Sequence, residues 1–381
     1  MAITYHSGRR IQATSSEFND GAGVPQAFGA WKELGRRTVG SGEGDIDDLT
    51  ISNLDGGSGN HKDYFMILFH GFDSGQCNAN IQFNSDNGSS DNNKYSSRGY
   101  RHGGNGNGGS ESSYSSADYI LMNLNSTYDD KFHVAYVDNT AGKEHLTTSF
   151  GTERGSGSGA GNSPSWIAVN GKYASTDRIT SVTIHNTAGG YYDEGTEVVV
   201  LGWDPDDTHT TGFWQELDSV NHTSGDTRKI STSNTVDKRY MWVQGYIKQD
   251  SSYALGITFN DDGSASSASN NYAFAYRGNY DSTITTSEST WSPAKTWSTL
   301  AGGGVFVNSF ISNKLNKEKL MITQQAENPA TGSGSGAEPH SMWTTGKWAG
   351  NALITKINYV TESTSTGELK NGTKFKVWGG D

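Results

Sequence analysis

The sequence has a single cysteine, Cys77, among its 381 residues. One thiol cannot form a disulfide within the chain, nor a zinc site built on cysteines. We therefore expect packing, hydrogen bonds and contacts between subunits to stabilise the fold. Hydrophobic residues make up only 32% of the chain, and no apolar run reaches the roughly 18 residues that a membrane-spanning helix needs. The sequence thus predicts no membrane span.

Positive charge is also scarce. The chain carries 29 lysines and arginines against 41 aspartates and glutamates, which gives a formal net charge of −12. A surface of that sign repels phosphate backbones, so nucleic acid is not an expected partner. The basic pair Arg9 and Arg10 precedes no apolar segment, and the first residues are therefore not expected to be a secretion signal.

Small polar residues and aromatic residues take the place of the missing aliphatic and charged ones. The chain has 49 glycines and is rich in serine, threonine and asparagine, which disfavours helices because these residues are poor in helix interiors. Aromatic residues reach 11%, a level that disordered chains lack. Together these features predict an all-β protein with long polar loops.

Short motifs recur in the same order in the two halves of the chain. The spacing is about 180 residues, far longer than the roughly 20–50 residues of solenoid repeats, so it predicts two similar domains rather than a solenoid. The alternative is coincidence in a biased composition. The eight matched pairs of motifs begin at Trp31 and Trp214, Ser41 and Ser224, Tyr64 and Tyr240, Asn80 and Gly256, Gly171 and Gly346, Ile179 and Ile354, Gly195 and Gly372, and Gly202 and Gly379.

Within each half, apolar residues alternate with small or polar ones, as in 253–259 and 374–378. A period of two indicates strands, and we expect each strand to bury one face and leave the other in water. Two sheets packed face to face would cover the apolar faces. The sequence therefore predicts two tandem, internally duplicated antiparallel β-sandwich domains of jelly-roll type, 29–207 and 208–381, with long Gly/Ser/Asn-rich loops and an N-terminal arm at 1–28.

Polar stretches at 85–118, 151–164 and 328–339 are predicted to be the long loops. Loops of this length in a compact domain are usually functional or flexible. The last two stand directly before Trp166 and Trp343, and we expect them to be one structural feature used twice.

No enzyme motif occurs with the context that its chemistry needs. The patterns His-Glu-x-x-His and Gly-x-Ser-x-Gly are absent. A glycosidase needs two carboxylates that face one cleft. Glu194 and Glu197 lack a suitable spacing, and Lys374 stands where Glu197 would recur. We therefore expect no enzymatic activity and, calcium apart, no cofactor.

Two acidic turns follow predicted strands at matching places in the two halves. Their candidate calcium ligands are Asp86 in one turn and Asp261 and Asp262 in the other. Calcium takes about six to eight oxygen ligands, which such turns can supply. The competing interpretation, which the sequence favours, is an ordinary Asn/Asp/Gly turn.

Aromatic residues in the polar stretches form a second candidate site, for a ligand or for an interface. Tyr95 and Tyr100 lie in the first polar stretch, and Tyr276, Tyr280 and Trp291 lie in its counterpart in the second half. Aromatic platforms beside polar groups suit sugars or protein interfaces. The alternative is that these rings anchor the loops onto the sandwich.

The closing segments of the two halves share the most specific pattern of the sequence. Each reads Ile-Thr-x-aliphatic, a polar hairpin, Gly-Thr, alternating apolar residues and a final glycine, from Ile179 to Gly202 and from Ile354 to Gly379. This pattern resembles the last two strands of virion structural proteins from tailed phages and from marine viruses of bacteria and archaea. The opening segment, with the Trp-Lys-Glu-Leu-Gly that begins at Trp31, is similar to such proteins as well.

The resemblance implies a β-sandwich subunit of a capsid, or of a capsid-associated decoration, fibre or tail structure, made in the host cytoplasm and located in the virion. Its expected partners are copies of itself, with a trimer as the expected form, and other virion proteins. The alternative function is a carbohydrate-binding or adhesive surface protein that uses the aromatic loops, with host glycans as partners. The resemblance brings no functional residues with it.

Overall fold

The computed structural model describes most of the chain, and every statement of structure refers to the described residues. These are 31–55, 61–86, 94–102, 110–122, 130–155, 159–204, 212–249, 255–262, 271–280, 283–291, 294–296, 304–327, 340–361 and 369–381. The predicted arm at 1–28 and the predicted join between 207 and 208 lie outside them. Within the described residues the chain forms only strands, turns and irregular segments, and no helix there could cross a membrane. The prediction of an all-β fold is confirmed.

The strands divide between the two halves of the chain. Those of the first half are β1 (Lys32–Thr38), β2 (Asp48–Ile51), β3 (Tyr64–Gly71), β4 (Asp73–Ser74), β5 (Asn80–Phe83), β6 (Tyr95–His102), β7 (Ser110–Ala117), β8 (Ile120–Leu121), β9 (Lys131–Asp138), β10 (His145–Glu153), β11 (Ser165–Tyr173), β12 (Val182–His185), β13 (Tyr191–Tyr192) and β14 (Glu197–Trp203). Those of the second half are β15 (Gln215–Asn221), β16 (Lys229–Ser231), β17 (Tyr240–Lys248), β18 (Leu255–Phe259), β19 (Tyr272–Tyr280), β20 (Thr283–Trp291), β21 (Ala294–Thr296), β22 (Gly304–Ser312), β23 (Lys319–Glu327), β24 (His340–Trp348), β25 (Ile357–Thr361) and β26 (Lys374–Gly380).

The two halves arrange their strands in the same order. The large, eight-stranded sheet has the order β1-β14-β3-β9-β10-β11-β6-β7 in the first half and β15-β26-β17-β22-β23-β24-β19-β20 in the second. The small, four-stranded sheet has the order β2-β12-β5-β8 in the first half and β16-β25-β18-β21 in the second, and β4 pairs with β13 outside these sheets. Neighbouring strands are antiparallel. A position in one half therefore has a counterpart at the same strand and register in the other.

The central strands of the large sheets are buried on both faces. In β3, Phe65 and Ile67 point into the core shared with the small sheet, whereas Met66 and Leu68 belong to a cluster that includes residues of the second half. The expectation that each strand would leave one face in water is wrong for these strands. The reason is that β3 and β14 are nearly continuous apolar runs, and such strands need cover on both sides.

Three apolar cores define the layers of the molecule. One core lies between the large and small sheets of the first half, and a second lies between those of the second half. The third lies between the two large sheets and combines residues of β3, β9 and β14 with residues of β22 and β23. The layers therefore follow the order small sheet, large sheet, large sheet, small sheet.

A buried asparagine directly follows β9 in the first half and β22 in the second, and it anchors the segment that leads into the small sheet. In the first half, Asn139 accepts the backbone N–H of Ile179 through Oδ1 at 2.6 Å. In the second half, Asn313 accepts the N–H of Ile354 at 2.7 Å, and its NH₂ group donates to two backbone carbonyls at 3.0 and 3.1 Å. Each side chain thus pairs backbone groups that burial would otherwise leave unsatisfied.

The first polar stretch, 85–118, is not one long loop. It contains β6 and β7, which pair at the edge of the large sheet, and its counterpart contains β19 and β20. The outermost strand β7 has the sequence SESSYSSA, in which Glu111 and Tyr114 are exposed. Periodicity missed this strand because its serine-rich sequence shows no apolar alternation. Residues 156–158 of the stretch 151–164 and all of the stretch 328–339 lie outside the described residues.

We expect Asn313→Ala to lower the free energy of unfolding by about 2–4 kcal/mol, because it leaves buried backbone groups without partners. Chemical denaturation at constant pH measures this change. The matched control is Asn351→Ala, whose side chain is exposed and whose loss should cost less than about 0.5 kcal/mol. Equal stabilities for the two variants would contradict the anchoring role.

Candidate functional site

The acidic turns that follow β5 and β18 are held by the protein's own backbone. Asn84 and Asn260 begin these turns with φ values of 55° and 52°, in the left-handed region that asparagine tolerates. The Oδ1 atom of each accepts a backbone N–H at 2.7 Å, from Thr180 in the first half and from Thr355 in the second. The interpretation as an Asn/Asp/Gly turn therefore describes both segments.

The candidate calcium ligands in these turns contact cations and N–H donors. Asp86 lies 2.6 Å from a lysine ammonium, and Asp262 accepts the indole N–H of Trp348 at 2.6 Å. Hydrogen bonds from two lysines, Lys229 first, lower the pKa of Asp261. In the part of the chain that the structure describes, no three His, Cys, Asp or Glu side chains gather in a way that could hold a metal. A calcium site at these turns stays a prediction.

Two of the candidate aromatic residues lie inside the fold. Tyr95 is 1% exposed, and its hydroxyl accepts the backbone N–H of Phe83 at 2.8 Å. Tyr276 is 6% exposed and packs with Phe274 and Met342. In both places the ring packs inside the fold from a strand, whereas the alternative interpretation of the sequence had these rings anchor loops onto the sandwich.

The remaining candidate aromatics lie on β6, β19 and β20. Tyr100 faces the second half: its ring centroid is 5.8 Å from that of Trp166, and the guanidinium carbon of Arg277 lies 4.1 Å from it. Tyr280 and Trp291 are the last residues of β19 and β20, and their side chains lie outside the described residues.

A cleft of about 380 Å³ opens between the two large sheets beside Tyr100. Register explains which side chains reach it, because Ala168 lies opposite Phe150 and Trp343 lies opposite Arg277, so each pair shares one face of its sheet. The lining residues are Thr148, Phe150, Trp166, Ala168, Asn170, Arg277, Gly278, Ser341 and Trp343.

The cleft combines aromatic faces with hydrogen-bonding groups. Trp166 and Trp343, one from each half, have ring centroids 6.0 Å apart with an angle of 42° between the rings. Arg277 and Asn170 add polar groups to the lining of the cleft. Such a cleft suits a flat polar ligand, whose apolar face packs on a ring while its hydroxyls meet the polar groups. The sequence placed the two tryptophans after similar polar stretches, but the register makes Ser341 the counterpart of Trp166 and Ala168 that of Trp343. Nothing in the sequence showed that the two rings would meet.

A buried carboxylate also joins the two halves. It lies in the contact region between the two large sheets, which we call the junction. The side chain of Glu197 is 1% exposed. From the first half, Thr38 donates to Oε2 at 2.6 Å and Arg36 lies 3.3 Å from Oε1. From the second half, the Tyr240 hydroxyl donates to Oε1 at 2.8 Å and Nε of Arg239 lies at 3.0 Å. Burial, with Glu197 adding to it, raises the pKa of Tyr240 well above its ordinary value, so the hydroxyl keeps the proton that it donates.

Two lysines of the second half, the half-buried Lys314 and the buried Lys347, also donate across the junction. Nζ of Lys314 donates to the backbone carbonyl of Gly195 at 2.6 Å, and Nζ of Lys347 donates to that of Arg154 at 2.9 Å. Burial is the main cause that lowers the pKa of both lysines to about 8. The junction therefore holds polar groups that the fold has taken out of water and paired across the two halves.

Sequence reasoning noticed Glu197 only through its mismatch with Lys374, which argued against a repeated catalytic pair. The structure gives the mismatch a different meaning. Glu197 begins β14 and faces the second half, whereas Lys374 begins the corresponding strand β26 and is exposed. The two positions correspond in register but differ in their surroundings.

Comparisons with known proteins give no family for the chain. No family model matches it, and no curated protein does. Two solved structures share weak likeness. One comes from work described as "Unveiling the Mechanism Behind the in-meso Crystallization of Membrane Proteins". It is 7% identical to this chain, the match covers 76% of this chain and 83% of the other chain, and the TM-score is 0.14. The other is the LG1-3 region of the laminin alpha2 chain. It is 10% identical to this chain, the match covers 87% of this chain and 64% of the laminin chain, and the TM-score is 0.15.

We expect Glu197→Ala to lower the free energy of unfolding by about 3–5 kcal/mol, because it leaves cationic groups of both halves without their buried counter-charge. Equilibrium denaturation followed by tryptophan fluorescence measures the loss. The control is Glu216→Ala, which removes an ion pair with Lys376 whose side chains are 47% exposed and should cost about 0.2–1 kcal/mol. A small and equal effect of both changes would contradict the role given to Glu197.

Proposed function

We propose that the chain is a structural subunit that assembles with copies of itself, of the kind that the resemblance to virion proteins implies. In this proposal it forms part of a capsid or of a decoration, fibre or tail structure, is made in the host cytoplasm and is not an enzyme. Its halves are two tandem copies of one jelly-roll-like β-sandwich, with Gly/Ser/Asn-rich loops between the strands.

The tandem duplication is supported by details that the two halves share. Both large sheets have the same strand order, and so do both small sheets. The first strand of each large sheet is interrupted at the same place, between Glu33 and Gly35 in β1 and between Glu216 and Asp218 in β15. Bulges and buried side-chain anchors are local features that two unrelated sandwiches would not be expected to share.

The observation that carries the assembly proposal is a set of exposed apolar side chains on the large sheets. On the first sheet, Tyr64 is 38% and Leu146 is 60% exposed; on the second, Tyr246 is 40% and Phe306 is 49% exposed. Tyr246 and Phe306 stand directly opposite each other on β17 and β22. Apolar groups clustered on a sheet face, rather than scattered singly, are typical of protein interfaces.

The paired ionisable groups, which are buried or half-buried, support a scaffold in preference to a catalyst. Glu197, Arg239 and Lys314 join one half to the other, and Lys131 pairs with Asp73 inside the first half. Burying charges is costly unless they are paired. Here the pairing holds layers of the fold against each other.

We expect the purified full chain to form oligomers, with a trimer as the expected form and interfaces above about 1,000 Å². Light scattering coupled to size exclusion should give a mass that is a multiple of 41.0 kDa, and electron microscopy should show rings, shells or fibres. A single 41.0 kDa species at high protein concentration would overturn the proposal.

A second candidate function is carbohydrate binding, favoured by the cleft between the large sheets. Trp343 and Trp166 supply ring faces there, and Arg277 and Asn170 supply polar groups. This is the arrangement expected for a sugar ring that is held by stacking and by hydrogen bonds to its hydroxyls. A virion that displays the chain would then contact host glycans through the cleft.

We expect Trp343→Ala to weaken glycan binding about tenfold, which corresponds to about 1.4 kcal/mol. A glycan array followed by calorimetry with the best ligand provides the measurement. The control is Tyr114→Ala, which removes a 44% exposed ring on β7 that does not line the cleft. Silence across a broad array, or equal losses in both variants, would remove this candidate.

A further inference from the structure

The exposed apolar residues of the first large sheet occupy positions whose counterparts are buried in the junction between the halves. Tyr64 pairs with the last residues of β9 and β14, as Tyr240 pairs with the last residue of β22 and with Gly380 of β26. Tyr240 is fully buried, whereas Tyr64 is 38% exposed. Leu146 corresponds in the same way to Leu320, which is fully buried in the junction cluster.

The second large sheet shows the converse. Phe306 corresponds to Phe132, which is 1% exposed, and Tyr246 corresponds to His70, which is fully buried. Phe132 belongs to the junction cluster. His70 hydrogen-bonds to the hydroxyl of Ser312 in the second half. Each exposed residue thus has its counterpart inside the junction.

These relations show that the junction joins unlike ends of the two large sheets. The first sheet contributes the end that carries Phe132, and the second contributes the end that carries Tyr240; these two rings stack with centroids 6.2 Å apart. In the part of the chain that the structure describes, two ends remain exposed. We name them the Tyr64 end of the first sheet (Asp63, Tyr64, Leu146) and the Phe306 end of the second sheet (Tyr246, Phe306, Lys374).

The charges at the two uncovered ends complement each other. In the junction, Glu197 of the first half lies 3.0 Å from Nε of Arg239 of the second. The counterpart of Glu197 is Lys374, and the counterpart of Arg239 is Asp63, each at the same register. Both signs are reversed, so an attractive pair would result if the two uncovered ends met as the covered ends do.

We propose that the Phe306 end of one copy of this chain binds the Tyr64 end of a second copy and repeats the junction between the halves. In this contact Phe306 stacks on Tyr64 as Phe132 stacks on Tyr240, and Lys374 pairs with Asp63. The proposal rests on the proposed function as a self-assembling subunit and names its interface. Because the two surfaces differ, the contact is head-to-tail, and it builds either a closed ring or an open filament.

The test uses two charge reversals that each block one end. Asp63→Lys blocks the Tyr64 end, and Lys374→Glu blocks the Phe306 end. We expect each variant alone to remain a single chain of 41.0 kDa. An equimolar mixture should assemble again with the two variants alternating, because the two unaltered ends are complementary to each other and so are the two reversed ends. A chain that carries both reversals should assemble again, since its two ends are once more complementary.

The controls separate this inference from the proposed function. Asp118→Lys and Arg228→Glu make the same charge changes at exposed positions beside the small sheets and should leave assembly unchanged. Asp63 also pairs with Arg178 at 2.8 Å, so thermal unfolding of each variant is recorded, and Leu146→Glu replaces Asp63→Lys if that variant does not fold. If the unaltered chain assembles but the single reversals still assemble, or their mixture stays monomeric, the head-to-tail contact is wrong and the proposed function stands. If the unaltered chain is itself monomeric, both fail.

Discussion

The constraint on which the rest of the structure depends is that central strands of each large sheet carry apolar side chains on both faces. The small sheet of the same half covers one face of β3 and β14, and the other half of the chain covers the second face. Fully burying a large apolar side chain contributes about 1.5–3 kcal/mol. A half that stood alone would expose several such side chains, so we infer that the four layers stabilise each other.

Covering the second face brings polar groups into the junction, and each of them then needs a partner. Glu197 meets hydrogen-bond donors and cations from both halves, and the ammonium groups of Lys314 and Lys347 end on backbone carbonyls. Apolar burial does not by itself choose one register between two flat sheets. Charge pairs of this kind do, because a shift of one residue would leave them buried and unpaired. The apolar residues of the junction therefore stabilise the contact between the halves, and its charge pairs select one register.

The sequence was enough to predict the all-β fold, because alternation and composition are local signals. It also marked matching positions such as Asn84 and Asn260, whose roles in the two turns proved the same. It could not predict the second buried face of the large sheets, nor that Trp166 would meet Trp343. Those depend on how two sheets stack, which no periodicity within a strand encodes. The edge strand β7 was missed for a different reason, since its serine-rich sequence has no apolar alternation.

Two copies of one unit would be expected to diverge where their surroundings differ. Where the halves carry out the same task, they keep the same residue, as with Asn139 and Asn313. Where one member lies in the junction and the other faces outward, charge and size change, as with Glu197 and Lys374. A freely solvated end would gain most from losing its large apolar groups, since exposed apolar patches promote association. Tyr64 and Phe306 are exposed aromatic residues beside charges of opposite sign, which is the pattern that the proposed contact between two copies requires.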